Sequence, residues 1–142
     1  MLVAGRDRFD VADAAALPWP DNSVDLLVTS PPYALNIEYV GGGDVESYAQ
    51  WLQVLETWLQ EMSRVSRVEG GRLYLNVPLD RDRGGWEPVW ADVLEAARAN
   101  GWRFRTWLLW DKGQVSPSHL VLHLPRALHQ RHDGLVVCLR PI

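Results

Sequence analysis

The fold of this chain is decided by one stretch near its amino end, Val24-Asp25-Leu26-Leu27-Val28-Thr29-Ser30-Pro31-Pro32-Tyr33. Residues 24–29 are almost continuously apolar, which is typical of a parallel strand that is covered on both faces. Two prolines follow, and a residue without a backbone N–H cannot continue a central ladder. The stretch therefore predicts a buried strand that stops abruptly at a proline-rich turn.

Helix and strand patterns alternate on the carboxyl side of this strand. A helix is predicted over residues 44–66, with Asp44 as its N-cap and Gly70-Gly71 beyond its end. A second helix is predicted over residues 86–100. The apolar stripe of the first helix has spacings of three and four and consists of Tyr48, Leu52, Leu55, Leu59 and Met62.

Short stretches outside these helices predict the other strands, over residues 9–11, 73–77, 102–110 and 135–139. Strands that alternate with helices indicate an α/β sheet with parallel pairs. No convincing helix separates the last two strands, so an antiparallel pair is predicted at that edge of the sheet.

Length and composition fit one soluble domain over residues 1–142. The hydrophobic content of 47% is sufficient for a packed core. No apolar run reaches about 18 residues, so no membrane span is predicted. Charges follow Met1 too soon for a secretory signal, which favours a cytoplasmic protein. The single cysteine, Cys138, excludes an internal disulfide and is predicted to be buried.

The charge is distributed unevenly along the chain. The net charge is −4 overall, with −9 in residues 1–95 and +5 in residues 96–142. Such asymmetry is compatible with a basic edge near phosphate, and equally with a few solvated surface arginines.

The end of the apolar strand has the groups for one kind of chemistry. Ligands of an open α/β sheet bind outside the carboxyl ends of its strands. Prolines have no N–H, so the carbonyls of Ser30 and Pro31 can face a pocket as acceptors. Tyr33 offers an aromatic face to a planar base. These groups suit the binding of an exocyclic amino group, although the prolines could simply end a strand and Tyr33 could simply pack.

The segment Val28-Thr29-Ser30-Pro31-Pro32-Tyr33 resembles the signature of the DNA N4-cytosine/N6-adenine methyltransferase family, in its Thr-Ser form associated with cytosine-N4 enzymes. The stretch that leads into it, residues 13–27, is also similar to the family. Further similarity extends to residue 140 and is carried by Arg67–Leu73, Leu108–Gly113, Ser116–Ser118 and His132–Val137. The resemblance implies a partial Rossmann-like class I methyltransferase sheet with flanking helices.

The resemblance also implies roles for individual residues. Ser30 and the Pro31 carbonyl, held by the Pro31-Pro32 turn, would accept hydrogen bonds from the cytosine amino group, and Tyr33 would stack on the base. Asp13 and Thr29 would lie at the S-adenosylmethionine site, although Asp13 could instead cap a helix before Ala14. The partner would be DNA with its target base flipped out of the stack.

Two parts of the family pattern are not recognisable in residues 1–142: a glycine-rich loop of the Phe-x-Gly-x-Gly type and a target-recognition region. Gly41-Gly42-Gly43 follows no apolar strand and is interpreted as a flexible loop. A homodimer or a second chain could therefore supply the cofactor-binding half.

Four histidines cluster within fourteen residues, namely His119, His123, His129 and His132. No metal site is predicted from them, because Pro125 interrupts helical continuity in this segment.

Three hypotheses about function remain open on the sequence. The first is a site-specific DNA cytosine-N4 methyltransferase, of the kind found in restriction-modification systems. The second keeps the methyl transfer but changes the acceptor to adenine N6 or an RNA base. The third is a catalytically silent fragment or partner subunit of a split methyltransferase.

Overall fold

The computed structural model describes residues 2–4, 7–32, 38–39, 42–43, 47–78, 81–82, 86–87, 89–110 and 134–142. These residues form two helices, α1 (Tyr48–Val65) and α2 (Val89–Ala99). The strands are β1 (Leu2–Ala4), β2 (Asp7–Phe9), β3 (Leu26–Thr29), β4 (Glu38–Tyr39), β5 (Gly42–Gly43), β6 (Arg72–Val77), β7 (Arg81–Asp82), β8 (Trp86–Glu87), β9 (Trp102–Trp110) and β10 (Gly134–Pro141).

The central sheet has four strands in the order β3-β6-β10-β9. Strand β3 runs parallel to β6, with Thr29 opposite Leu75, and β10 is antiparallel to both β6 and β9. The predicted α/β class and the antiparallel edge pair are confirmed. The insertion of β10 between β6 and β9 was not predicted, because strand order depends on tertiary pairing that no local pattern encodes.

Helix α1 begins later than predicted, and its N-cap is Ser47 rather than Asp44. The Ser47 side chain accepts the backbone N–H of Gln50 at 3.2 Å, which satisfies one of the donors at the helix start. Ser47 is therefore the last extended residue before the helix and its N-cap. The helix stops at Val65, and the backbone of Ser66 is extended.

Both helices pack against the same face of the sheet. The alternation in β6 directs Leu73, Leu75 and Val77 into this core, where all three are fully buried. Helix α1 contributes its buried stripe, and α2 adds Val89 and Val93. The stripe of α1 differs from the prediction, because its buried members are Trp51, Leu55, Leu59, Met62 and Val65, whereas Tyr48 and Leu52 are half-buried.

The opposite face of β3 is open within the described part of the chain. Leu26 is 55% exposed and Val28 is 73% exposed, so the prediction of a strand covered on both faces was wrong. The apolar sequence of β3 is typical of a strand that is buried on both faces, but neither α1 nor α2 packs on the face that carries Leu26 and Val28.

Farther across this face, Cys138 lies opposite Tyr74 and is buried, as predicted. The hydrogen bond with Cys138 raises the pKa of the Tyr74 phenol.

Helix α2 is confirmed with a shifted start, whereas the strand predicted over residues 9–11 is wrong at Asp10 and Val11. Helix α2 starts three residues later than predicted and is followed by Gly101 at φ 85°. The strand predicted over residues 9–11 ends at Phe9 as β2, which pairs with β1 outside the central sheet. No helix among the described residues is long and apolar enough to cross a membrane.

Candidate functional site

The Ser30-Pro31-Pro32 turn lies at the carboxyl end of β3. Ser30 and Pro32 are exposed, whereas Pro31 is buried. The parallel register places Ser30 next to the end of β6, where Asn76 Nδ2 donates to Ser30 Oγ at 3.4 Å. A hydroxyl, an amide and the proline backbone thus share the edge of the sheet where α/β proteins bind ligands.

The turn is fixed from below by the first turn of α1. The Trp51 indole Nε1 donates to the carbonyl oxygen of Pro32. Trp51 is 1% exposed and stacks on Tyr48 with 5.5 Å between ring centroids and 14° between planes. The Tyr48 hydroxyl donates to Asp92 Oδ2 of α2 at 2.7 Å. Helix packing therefore determines where the Pro32 carbonyl points.

The segment that precedes β3 is tied to the other end of α1. Glu61 Oε1 accepts the backbone N–H of Leu17 at 2.8 Å, and Arg64 donates to the carbonyls of Leu17 and Trp19 at 3.1 and 3.0 Å. Arg64 also pairs with Glu61 at 2.6 Å and with Asp21 at 2.5 Å. These carboxylates raise the pKa of the Arg64 guanidinium, and the hydrogen bond from Arg64 holds the pKa of Glu61 below its ordinary range.

Asp13 shapes a turn and does not cap a helix. Its Oδ1 accepts the backbone N–H of Ala15 at 2.9 Å, and its carbonyl accepts the N–H of Ala16 at 3.0 Å. Residues 14–16 form no helix, so the alternative of a helix N-cap was wrong. The side chain completes a local turn, which is the usual behaviour of aspartate in such loops.

Two cavities are lined by this segment, and one of them also by β3. The first is about 190 Å³ and lies at the open edge of β3, lined mainly by apolar side chains: Ala14, Leu17, Trp19, Leu27, Val28, Thr29 and Met62. The second is about 340 Å³ and is lined by Arg8, Phe9, Asp10, Ala12, Ala14, Leu17, Pro18 and Trp19. The two cavities, together called the furrow, have Ala14, Leu17 and Trp19 in common as lining residues. The second is within the size range of small-molecule sites, roughly 300–1,000 Å³.

The predicted site residues fall into three groups. Ser30, Pro31 and Pro32 lie together at the strand end, and Thr29 lines the first cavity. Asp13 precedes the cavity wall but lines neither cavity. Tyr33 and the four histidines lie outside the described residues, and within the described part no group of three or more His, Cys, Asp or Glu side chains could hold a metal ion.

Sequence reasoning missed four residues that support the site: Trp51, Glu61, Arg64 and Asn76. Asn76 had a detectable signal, since it is a polar residue near the carboxyl end of a strand. Trp51 and the Glu61–Arg64 pair had none, because their partners lie at least 19 positions away in the sequence.

A family model described as DNA methylase matches residues 24–132, which is more than half of the chain. The chain belongs to the N6/N4 DNA methylase family. The match begins at the first residue of the stretch that contains β3 and its proline turn. The predicted family is thereby confirmed.

Several relatives of this methylase chain are type II methyltransferases. M.MjaVI of Methanocaldococcus jannaschii is 37% identical over 97 residues, which cover 68% of this chain and 50% of the relative. M.ScaI of Streptomyces caespitosus is 41% identical over 102 residues, which cover 72% of this chain and 27% of the relative. The methylase chain thus spans about half or less of the curated relatives it matches.

Solved structures share the fold. TTHA0409 of Thermus thermophilus, solved in complex with S-adenosyl-L-methionine, superposes with a TM-score of 0.64 at 28% identity, covering 92% of this chain and 54% of that one. PvuII DNA methyltransferase, which is cytosine-N4-specific, superposes with a TM-score of 0.64, covering 91% of this chain and 46% of that one. At 16% identity this second likeness shows the fold alone. S-adenosylmethionine is the cofactor of the family, and the predicted class I methyltransferase fold is confirmed.

Proposed function

We propose that this chain is the target-base half of a DNA methyltransferase that acts on the exocyclic N4 amino group of cytosine. The observation that carries the proposal is the Ser30-Pro31-Pro32 turn at the carboxyl end of β3, with its serine exposed and its last carbonyl held by Trp51. The turn offers acceptors without a strong nucleophile or a metal, and an amino group needs only acceptors to be held.

The turn acts by orienting the amino group. S-adenosylmethionine supplies the electrophilic methyl group when it is bound. Ser30 Oγ and the Pro31 carbonyl accept the two amino hydrogens, which directs the nitrogen lone pair away from the turn. Tyr33 stacks on the flipped base, and catalysis is mostly positioning, which can supply several orders of magnitude in rate. Serine at position 30 favours cytosine over adenine, in line with the Thr-Ser form of the motif.

The furrow beside β3 fits part of the cofactor. Its apolar walls and the Trp19 ring suit an adenine ring, and Thr29 in the wall would bind the adenosine end. Asp13 would contribute only from the turn beside the wall, since it lines neither cavity. The described residues that line the furrow include one positive side chain, Arg8, which is paired with Asp10 at 2.5 Å. We propose that residues outside these walls bind the methionine carboxylate.

A second polypeptide segment completes this site in our proposal, either from a separate chain or from a second copy. Within the described residues β3 pairs only with β6, and the smaller cavity lies at its open edge. A segment that pairs with the open edge of β3 and packs a further element on its open face would close this cavity and cover Leu26 and Val28. A separate chain would carry the glycine-rich loop, so that the cofactor is held between the two halves, whereas a second copy would only cover β3.

DNA would approach the carboxyl end of the sheet, and the proposed activity belongs in the cytoplasm. Three arginines of the basic part of the chain are exposed, namely Arg98, Arg103 and Arg105. Through the register of β10 with β6 and β9, Arg103 and Arg105 lie near the amino end of β6, so they are not part of the proposed DNA-binding edge.

The test measures methyl transfer from labelled S-adenosylmethionine to DNA. It uses the chain alone and the chain with its co-encoded partner, and each sample is also measured at high protein concentration. We expect label in N4-methylcytosine after nucleoside analysis. Label in N6-methyladenine or in RNA would overturn the cytosine assignment. Absence of label in every combination would contradict the proposed enzyme and favour a silent subunit.

A further inference from the structure

We propose that Trp51 is a positioning residue for methyl transfer. Its indole N–H donates to the Pro32 carbonyl and so fixes the plane of the peptide bond between Pro32 and Tyr33. The role rests on the proposed function only in that Tyr33 is taken to stack on the target base. The bond from Trp51 Nε1 to the Pro32 carbonyl is observed directly.

The backbone of the turn leaves one torsion for Trp51 to fix. Proline rings hold φ near −65° at positions 31 and 32, so both residues are rigid about that bond. The torsion ψ of Pro32 is not fixed by its ring, and it sets the direction of the Pro32 carbonyl and of the peptide bond to Tyr33. A hydrogen bond to that carbonyl therefore selects one exit direction for the aromatic residue.

Trp51 is itself rigid enough to act as the reference point. It is buried in the core, stacked on Tyr48, and linked through the Tyr48 hydroxyl to Asp92 of α2. A buried indole N–H normally requires an acceptor. Here the acceptor is the Pro32 carbonyl of the turn and not a group of the core. The packing of α1 against α2 therefore fixes the orientation of that carbonyl.

The chain provides a matched control in Trp102. This residue is also fully buried, and its Nε1 donates to the carbonyl of Leu59 at 2.9 Å in the middle of α1. Trp51→Phe and Trp102→Phe each remove one buried indole hydrogen bond and similar volume. A purely structural role predicts similar consequences for both variants, whereas a positioning role predicts a difference at the turn.

The first measurement is amide hydrogen exchange on the chain, followed by mass spectrometry of the peptide that contains residues 28–35. We expect about fivefold faster exchange in Trp51→Phe, as for the loss of one hydrogen bond, and no change there in Trp102→Phe. Site-specific replacement of Trp51 by benzothienylalanine, which keeps the shape and lacks the N–H, guards against a folding defect. Equal exchange of this peptide in all four proteins would overturn the proposal.

The second measurement is steady-state methyl transfer by the reconstituted enzyme. We expect kcat to fall about 10- to 100-fold for Trp51→Phe, the range associated with a misplaced reacting group, with KM for S-adenosylmethionine unchanged. Equal losses in kcat for the two tryptophan variants would contradict positioning. If the wild-type assembly transfers no methyl group, the proposed function fails, while the exchange experiment still decides the role of Trp51.

Discussion

Glu61 Oε1 accepts the backbone N–H of Leu17 at 2.8 Å, although 44 positions separate the two residues. The same carboxylate pairs with Arg64, which in turn donates to the Leu17 carbonyl at 3.1 Å. Both backbone groups of Leu17 are thus held by one ion pair of α1. Leu17 lines both cavities, so this pair determines the shape of the proposed adenosine site.

Arg64→Met should loosen the wall of the furrow without unfolding the core. The methionine keeps an unbranched side chain but removes the donors to Leu17, Trp19 and Asp21. We expect amide exchange of residues 14–22 to rise about three- to tenfold, consistent with the loss of hydrogen bonds at a partly exposed site. Exchange in the core strand β6 should not change.

Arg67→Met is the control for this experiment. Arg67 pairs with Asp25 at 3.1 Å at the surface and does not contact the furrow. Faster exchange of residues 14–22 in both variants would indicate a nonspecific effect of lost charge.

The stability of the chain should depend on Glu61 at acidic pH. Its pKa is lowered from an ordinary value of 4.5, chiefly by the hydrogen bond from Arg64. The unfolded chain therefore binds the proton more readily, so the contribution is complete above the unfolded pKa and is lost as pH falls through the lower folded pKa. Thermal unfolding followed from pH 7 to pH 3 should show this loss below about pH 4.5.

Glu61→Gln should remove that part of the pH dependence, because the amide does not titrate. Glu56→Gln is the matched control, since Glu56 is exposed on the same helix. A Glu61→Gln profile that remains parallel to the wild type through this range would refute the assignment.

Adjacent glycines after α1 should respond differently to alanine. A Cβ on Gly71 would lie 2.2 Å from the Arg67 carbonyl oxygen, whereas one on Gly70 would meet nothing within 4 Å. Gly70 has φ 90°, a conformation that disfavours alanine by about 1–2 kcal/mol. We expect Gly71→Ala to destabilise the chain more than Gly70→Ala in urea unfolding, because backbone must move. The reverse order would contradict the close approach of Gly71 to Arg67 in the turn between α1 and β6.

The sequence predicted those parts of the fold that local patterns encode. The prolines after Ser30 predicted the end of β3 at Thr29 correctly, and the alternation around Leu75 identified β6 and its buried face. The start of α1 was wrong because Asp44 and Ser47 are both competent caps, and tertiary packing selects between them. The open face of β3 could not be foreseen, since an apolar strand has the same sequence whether its cover is present or absent.

The sequence predicted only the part of the site that is formed by residues contiguous in the chain. The Ser30-Pro31-Pro32 turn is contiguous, so its residue types indicated its chemistry. Its supports come from long-range contacts, such as that between Trp51 and Pro32. A buried tryptophan in a helix has the same sequence signature whether it holds a turn or only fills the core.

Ser30→Ala should impair catalysis while leaving the fold intact. Ser30 is exposed, and surface substitutions usually change stability by about 0.5 kcal/mol or less. If its hydroxyl accepts an amino hydrogen of the target, kcat should fall about 10- to 100-fold, as for the loss of a hydrogen bond to a group that gains charge. Thr57→Ala removes a comparable exposed hydroxyl from α1 and should have wild-type kcat. Equal activity of Ser30→Ala and the wild type would remove Ser30 from the proposed mechanism.

Leu26→Glu should weaken assembly with the second half without harming the isolated chain. Leu26 is 55% exposed here and lies opposite Arg72 in the parallel register, so a glutamate gains a favourable neighbour in the free chain. In the proposed assembly the same position is covered, and an inadequately paired buried charge is strongly unfavourable. We expect the dissociation constant to rise at least about tenfold, as measured by sedimentation with the co-encoded polypeptide or with the chain itself. Val68→Glu is the control, because Val68 is similarly exposed, at 60%, but belongs to the turn after α1 and not to β3. Wild-type affinity of Leu26→Glu would show that the open face of β3 is not where the second half binds.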